Sequence, residues 1–330
     1  MLHRFRAMPP RCLAMLAGGL LCLLAAGPAA ARGVVLVVNS GAASLSVVDM
    51  ATHKEVRRIP VLREPHHLML TPDHRDLLVG DTVGNELLDL DPNTFALRRR
   101  IPVADPYQLG FSPDGRLLTI NGLARNQVDI YDAATMKLVR RFPLHTMPSH
   151  MAYAPDGSRV FVSLQGTNRL AAIDLKKMEV VYEVTVGKVP AGVLWLNGRL
   201  LVALMGEDGV VVVDPANGHV ERMIPTGAGA HQLFLSPDQR ILYVNNRVAS
   251  TTVALDATNL TPLRTYSVPG GPDDIVFAPD GKLWITQRFA HGVAVLDPAT
   301  GSVESIQVGR SPHGLILNPT ADAAVQVSAN

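Results

Sequence analysis

His231, Asp273 and His313 follow one another at intervals of 42 and 40 residues, and His66 holds the same place in its own segment. Asp273, His313 and His66 each come directly after a proline. Imidazole and carboxylate together are ligands for zinc, copper or iron. Imidazole alone could also serve as an axial haem ligand or as a general acid or base near neutral pH. Arg247 and Arg288 stand 41 residues apart, each shortly downstream of one of these positions. A guanidinium pair can clamp a carboxylate or phosphate bidentately; the same arginines could instead pair with Glu207, Asp208 or Asp274. His150 and Asn246 complete the candidate ligand-binding set of His66, His150, His231, Asp273, His313, Arg247, Arg288 and Asn246. The candidate metal ligands within it are His231, Asp273, His313 and His66.

Residues some forty positions apart meet only if the chain keeps returning to one place, so internal repetition comes next. The aspartates that end V-x-V-x-D-like segments are Asp49, Asp89, Asp132, Asp174, Asp214, Asp256 and Asp297, in steps of 40, 43, 42, 40, 42 and 41. A turn runs in phase with them: Pro72-Asp73, Ser112-Pro113-Asp114-Gly115, Ala154-Pro155-Asp156-Gly157, Ser236-Pro237-Asp238 and Ala278-Pro279-Asp280-Gly281. The fourth copy is Leu196-Asn197-Gly198, where Asn-Gly still supplies the positive φ of a tight hairpin.

Each unit reads as four short strands. Val and Leu carry the apolar load, and aromatic residues make up only 5% of the chain, which suits strands. Four antiparallel strands at this period predict an all-β, seven-bladed β-propeller. The repeats lie near 34–76, 77–116, 117–159, 160–199, 200–240, 241–282 and 283–319. The chain opens on a second strand, Val34 to Val38, and supplies a first strand last, His313 to Leu317. The two ends are therefore expected to share a blade and close the ring, which removes free edges. Ala323 to Ser328 reads as one strand too many.

The ring places the candidates. The position opening each innermost strand reads His66, Tyr107, Ser149, Ala191, His231, Asp273, His313. His231, Asp273, His313 and His66 fall on four adjacent blades at one channel mouth. Inner-strand starts on alternate blades are expected to lie ~10 Å apart, from the spacing of neighbouring strands, which is wide for a single ion. Adjacent strand residues face opposite ways, so one of His66 and His67 should pack between blades. Asn39, Asp81, Asn121, Arg125, Arg169 and Gln287 add to the rim. Arg98-Arg99-Arg100 falls on an outer strand, where basic residues guard an open edge.

The first 31 residues differ in kind. Arg4, Arg6 and Arg11 precede an apolar run from Cys12 to Ala26, closed by Ala29-Ala30-Ala31. This reads as a secretory signal peptide cleaved before Arg32, giving a periplasmic or secreted product with no membrane span after cleavage. Both cysteines of the chain, Cys12 and Cys22, lie inside it. The mature chain then has no disulfide, no thiolate metal site and no covalent haem attachment; a transition metal on imidazole stays open. Removing three arginines leaves 27 basic against 29 acidic residues, so no global field draws nucleic acid, and scarce aromatics oppose single-stranded DNA binding. The chain carries no G-x-S-x-G elbow, P-loop or H-E-x-x-H motif.

Asn39 after Val34–Val38, Tyr243-Val244-Asn245-Asn246, the V-x-V-x-D strands, Val186-Gly187-x-x-Pro190 and Ser112-Pro113-Asp114-Gly115 together resemble the YVTN β-propeller repeat, over nearly all of residues 33–319. Within it the chain resembles the YncE-like periplasmic propellers. More distantly it resembles the haem-binding propeller of cytochrome-type nitrite reductases and propellers found beside quinone-dependent dehydrogenases. The resemblance implies a periplasmic binding or accessory protein and no single reaction. The first expectation is a monomeric, non-catalytic module for a small ligand or a periplasmic protein. The alternative is a metal- or tetrapyrrole-linked lactonase, lyase or redox accessory; single-stranded DNA binding, suggested for some YncE-like relatives, comes third.

Overall fold

A computed structural model describes residues 33–319 and residue 321, except residues 62 and 145. The candidate signal peptide, His145 and the candidate extra strand at 323–328 lie outside them.

The described residues form seven four-stranded antiparallel sheets. The innermost strands are Pro65–Leu70, Gln108–Phe111, Pro148–Tyr153, Pro190–Leu196, Ala230–Leu235, Pro272–Phe277 and Pro312–Asn318. Each touches the next, and Pro312–Asn318 touches both Pro272–Phe277 and Pro65–Leu70, so the ring is closed. The expected seven-bladed propeller is the fold found. Numbered from the chain start, blade one joins both ends: Pro312–Asn318 pairs with Val34–Asn39, Leu36 opposite Ile316.

Burial follows position in the blade. Val34–Asn39 and Gly209–Val213, in the middle of their sheets, are buried along their whole length. Both faces are covered by neighbouring blades, hence the continuous apolar runs. The outer strand Lys54–Pro60 alternates exposed and half-buried residues, because only one of its sides faces a neighbour. The apolar side chains gather into seven cores, one at each junction between consecutive blades. Fully buried Trp284 sits in the core between blades seven and one, with Val35, Val48 and Leu315. Truncating a core side chain of that size typically costs roughly 3–5 kcal/mol, so this junction fastens the closure.

The turns have a chemical cause. Ser112 Oγ donates to Asp114 Oδ1 at 2.6 Å and accepts from the Leu117 amide at 3.0 Å, while Gly115 takes φ +71°. Six of the seven marker aspartates accept turn amides in the same manner, as Asp49 does from Thr52. The second copy corrects the sequence reading. There the turn is built on Asp91, which accepts from the Asn93 and Thr94 amides. Asp89 is buried and pairs with Arg99 at 2.5 Å. The repeat steps around it are therefore 42 and 41 residues. Arg98 and Arg100 lie exposed on the outer strand Leu97–Pro102, with Asp76, Asp91 and Glu86 as partners. No helix among the described residues is long and apolar enough to cross a membrane.

Candidate functional site

The inner strands carry more than the expected four residues to the axis. Pairing between the first and second strands slips between Pro65 and Leu68, and again between Pro148 and Met151. Such bulges set two residues against one and re-aim their side chains. His66 and His67 therefore both reach the hub, their Nδ1 atoms 2.9 Å apart, and His150 arrives by the same device. The expectation that one of the His66-His67 pair packs between blades fails here, because strict alternation holds only in a regular strand. The missed signal lay in the second residue after the entering proline, which reads His67 in one copy and His150 in another.

The hub is also narrower than expected. His231 and His313 sit on alternate blades with ring centroids 6.1 Å apart, because the side chains converge on the axis from the strand starts. Close approach of neighbouring inner strands accounts for the rest. A Cβ on Gly192 would lie 2.7 Å from the His231 carbonyl oxygen. Glycine is required where backbones meet this closely.

Five histidines and one aspartate fill the space, all nearly or wholly buried. The sequence-derived ligand set of His66, His231, Asp273 and His313 falls into two triplets that share His313: His66–His67–His313 and His231–Asp273–His313. In each, candidate ligand atoms lie within 4.8 Å of one another. A second pattern crosses the triplets. His67, His150, His231 and His313 form a closed ring with successive centroid separations of 6.0, 4.9, 6.1 and 4.6 Å. His67 Nδ1 donates to the Tyr107 carbonyl at 2.7 Å and His150 Nδ1 bonds Ser149 Oγ at 3.1 Å, which leaves each Nε2 buried without a partner. His231 Nδ1 lies 2.7 Å from Asp273 Oδ1, within ion-pair reach but off hydrogen-bond alignment. Among the described residues, both ring nitrogens of His231 and of His313 lack a hydrogen-bond partner. Buried nitrogens in that condition are rare in native proteins and call for an explanation.

His66 has a different place. Its ring stacks on Tyr107 and lies against His313, with both centroids 3.9 Å away, and its Nδ1 reaches the Tyr107 carbonyl at 3.1 Å. It walls the hub off from a cavity outside.

Arg247 and Arg288 are not paired with Glu207, Asp208 or Asp274. Both turn to Asp273. Arg247 Nε donates to Asp273 Oδ1 at 2.9 Å, its Nη2 meets the same oxygen, and Arg288 Nη1 lies 3.5 Å from Oδ2. Asp273 has no exposed surface, so an anion there needs this compensation. Asn246 lies outside the cluster. It donates to the Thr226 carbonyl at 3.2 Å and accepts from Thr226 Oγ1 at 3.0 Å, bracing the loop before the inner strand. Asn121 braces likewise on the Ser149 carbonyl and Gln287 on that of Pro269. Arg169 pairs with Glu183 at the surface.

Charge follows from burial. Burial depresses the basicity of His67 and His231 to about 4, and that of His66, His150 and His313 to well below the usual imidazole range. All five are neutral at pH 7 and keep a lone pair for a ligand. Burial opposes ionisation of Asp273, but the permanent charge of Arg247 outweighs it and holds its carboxyl well below the usual range. Burial and the charge of Asp273 push Asp274 well above it.

A stability prediction follows. The folded histidines are less basic than unfolded ones, so the unfolded chain takes up protons first and acid destabilises the fold. The contribution is complete above about pH 6.5 and is lost as pH falls from there toward 4. At pH 5.5, His67 and His231 together should cost the metal-free protein about 3 kcal/mol relative to pH 8. Urea melts at the two pH values check it; a midpoint unchanged or higher at pH 5.5 would contradict neutral burial.

A family model described as YNCE-like beta-propeller matches residues 6–323. A search of curated protein sequences finds no significant match. Among solved structures, the chain is similar to the periplasmic gluconolactonase PpgL of Pseudomonas aeruginosa, with a TM-score of 0.70 and 20% identity over 86% of this chain and 98% of that one. It is similar to a functionally unknown protein from Desulfotomaculum acetoxidans, with a TM-score of 0.75 and 12% identity over 87% and 99%. It is also similar to dihydro-heme d1 dehydrogenase NirN in complex with DHE, with a TM-score of 0.65 and 14% identity over 86% and 75%. At these identities the likeness speaks for the fold.

Proposed function

The chain belongs to the YNCE-like β-propeller family, and from that premise we propose that it is an exported, non-catalytic binding module whose hub takes one transition-metal ion. The observation that carries the reading is the buried triplet His231–Asp273–His313, where both ring nitrogens of His231 and of His313 have no hydrogen-bond partner among the described residues. In that triplet the candidate ligand atoms lie within 4.8 Å of one another, and metal–ligand bonds of about 2.0–2.2 Å would draw them onto a single ion. The Tyr107 carbonyl fixes the tautomer of His67, as outer partners do for metal-bound histidine. Asp273 would offer a carboxylate oxygen to the same ion, its charge balanced by Arg247 and Arg288. The candidate signal peptide supports export.

By the usual affinity order of divalent metals, a site of imidazole and carboxylate donors holds copper in preference to nickel and zinc. Equilibrium dialysis of the mature chain against Cu²⁺, Ni²⁺ and Zn²⁺ should show one tightly held equivalent, with copper displacing zinc. Retention of no ion after dialysis contradicts the proposal. A second reading, a tetrapyrrole- or metal-linked enzyme or redox accessory, draws on the cavity outside His66 and on the named relatives NirN and PpgL. Visible absorbance of the protein purified from its periplasm separates the two, since a tetrapyrrole would colour it strongly.

A further inference from the structure

Outside His66 lies a cavity of about 420 Å³, within the range of small-molecule sites. Arg125 and Arg288 both line it. Among the described residues, Arg125 has no carboxylate within ion-pair distance, and one of its amino groups donates to Asn85 Oδ1 at 3.1 Å. Arg288 has a single ionic partner, the 3.5 Å contact to Asp273. Arg125 without a carboxylate partner, beside Arg288 whose one acid is shared with Arg247, makes the cavity suited to an anion.

The other lining groups narrow its chemistry. Glu64, Asp105, Asn85 and Thr82 also face the cavity. A phosphate dianion would meet two acids there. A monocarboxylate bearing several hydroxyls would not, because hydroxyls can donate to those acids while the carboxylate takes the arginines. Asp105 is anchored for this, accepting the Arg125 amide at 2.9 Å. Tyr107, stacked on His66, supplies a flat apolar floor.

We infer that this cavity binds a small polyhydroxy monocarboxylate, its carboxylate on Arg125 and Arg288 and its hydroxyls on Asp105 and Glu64. The inference shares only Arg288 with the metal proposal and stands without it. Because Arg288 also touches Asp273, the bound acid would draw on the charge balance of the hub.

Calorimetric titration of the mature, metal-free chain with D-gluconate tests it. Saturable binding is expected, with sorbitol and acetate each at least roughly tenfold weaker. Arg125→Gln should weaken gluconate at least roughly tenfold while leaving copper binding intact. No saturable binding overturns the inference. So does sorbitol binding as tightly as gluconate, or an Arg125→Gln variant that binds gluconate like the parent. Working on metal-free protein keeps the outcome independent of whether the hub holds copper.

Discussion

Asp273→Ala should destabilise the metal-free protein by roughly 3–5 kcal/mol, the usual cost of removing one partner from a buried ionic group. The carboxylate is wholly buried and is the shared counter-ion of Arg247 and Arg288. Without it, Arg247, only 16% exposed, keeps a charge with no acid beside it. The loss is a desolvation effect, so it should shrink when the stranded charge is also removed. The double variant Asp273→Ala, Arg247→Met should recover a substantial part of it, a non-additivity expected of residues in direct contact. Urea midpoints at pH 8 give the comparison. A single variant within about 1 kcal/mol of the parent, below the range for buried pairs, would mean that the carboxylate is not what balances the hub.

His313→Ala should lower copper affinity by at least about 100-fold, more than the loss of an outer-shell partner usually causes. His313 belongs to both triplets and to the four-imidazole ring, and neither of its nitrogens has a hydrogen-bond partner among the described residues. No other residue joins all three groupings. His219, exposed on the opposite face, is the control, and His219→Ala should bind as the parent does. Folding of His313→Ala is followed separately by its urea midpoint, so that lost metal is not mistaken for lost structure. Equal affinities in the two variants would remove the hub as the binding place.

The architecture was legible because it is periodic. Seven copies of one turn and one strand pattern, with a first strand arriving last, leave little freedom other than a closed ring. His66, His231, Asp273 and His313 were legible for the same reason, each opening an inner strand. His67 was not, since its direction depends on a bulge between Pro65 and Leu68 that alternation does not anticipate. The partner of Arg247 and Arg288 was also hidden. The sequence left open an anion clamp or pairing with rim acids, yet the buried carboxylate of Asp273 repays pairing far more than exposed ones do. Asn246 looked like a ligand residue from its place at a strand end. It works as a backbone brace, a role that depends on a carbonyl twenty residues earlier. Asp89 was read as the turn aspartate from its V-x-V-x-D-like spacing, and only the fold shows that Asp91 meets the turn amides instead.

The most direct test is X-ray absorption at the copper edge on the mature chain loaded with one equivalent of Cu²⁺. The account predicts a shell of imidazole nitrogens at about 2.0 Å, with the outer-ring scattering of several histidines, and its loss in His313→Ala. A shell made of oxygen alone, or a spectrum that His313→Ala leaves unchanged, would contradict it.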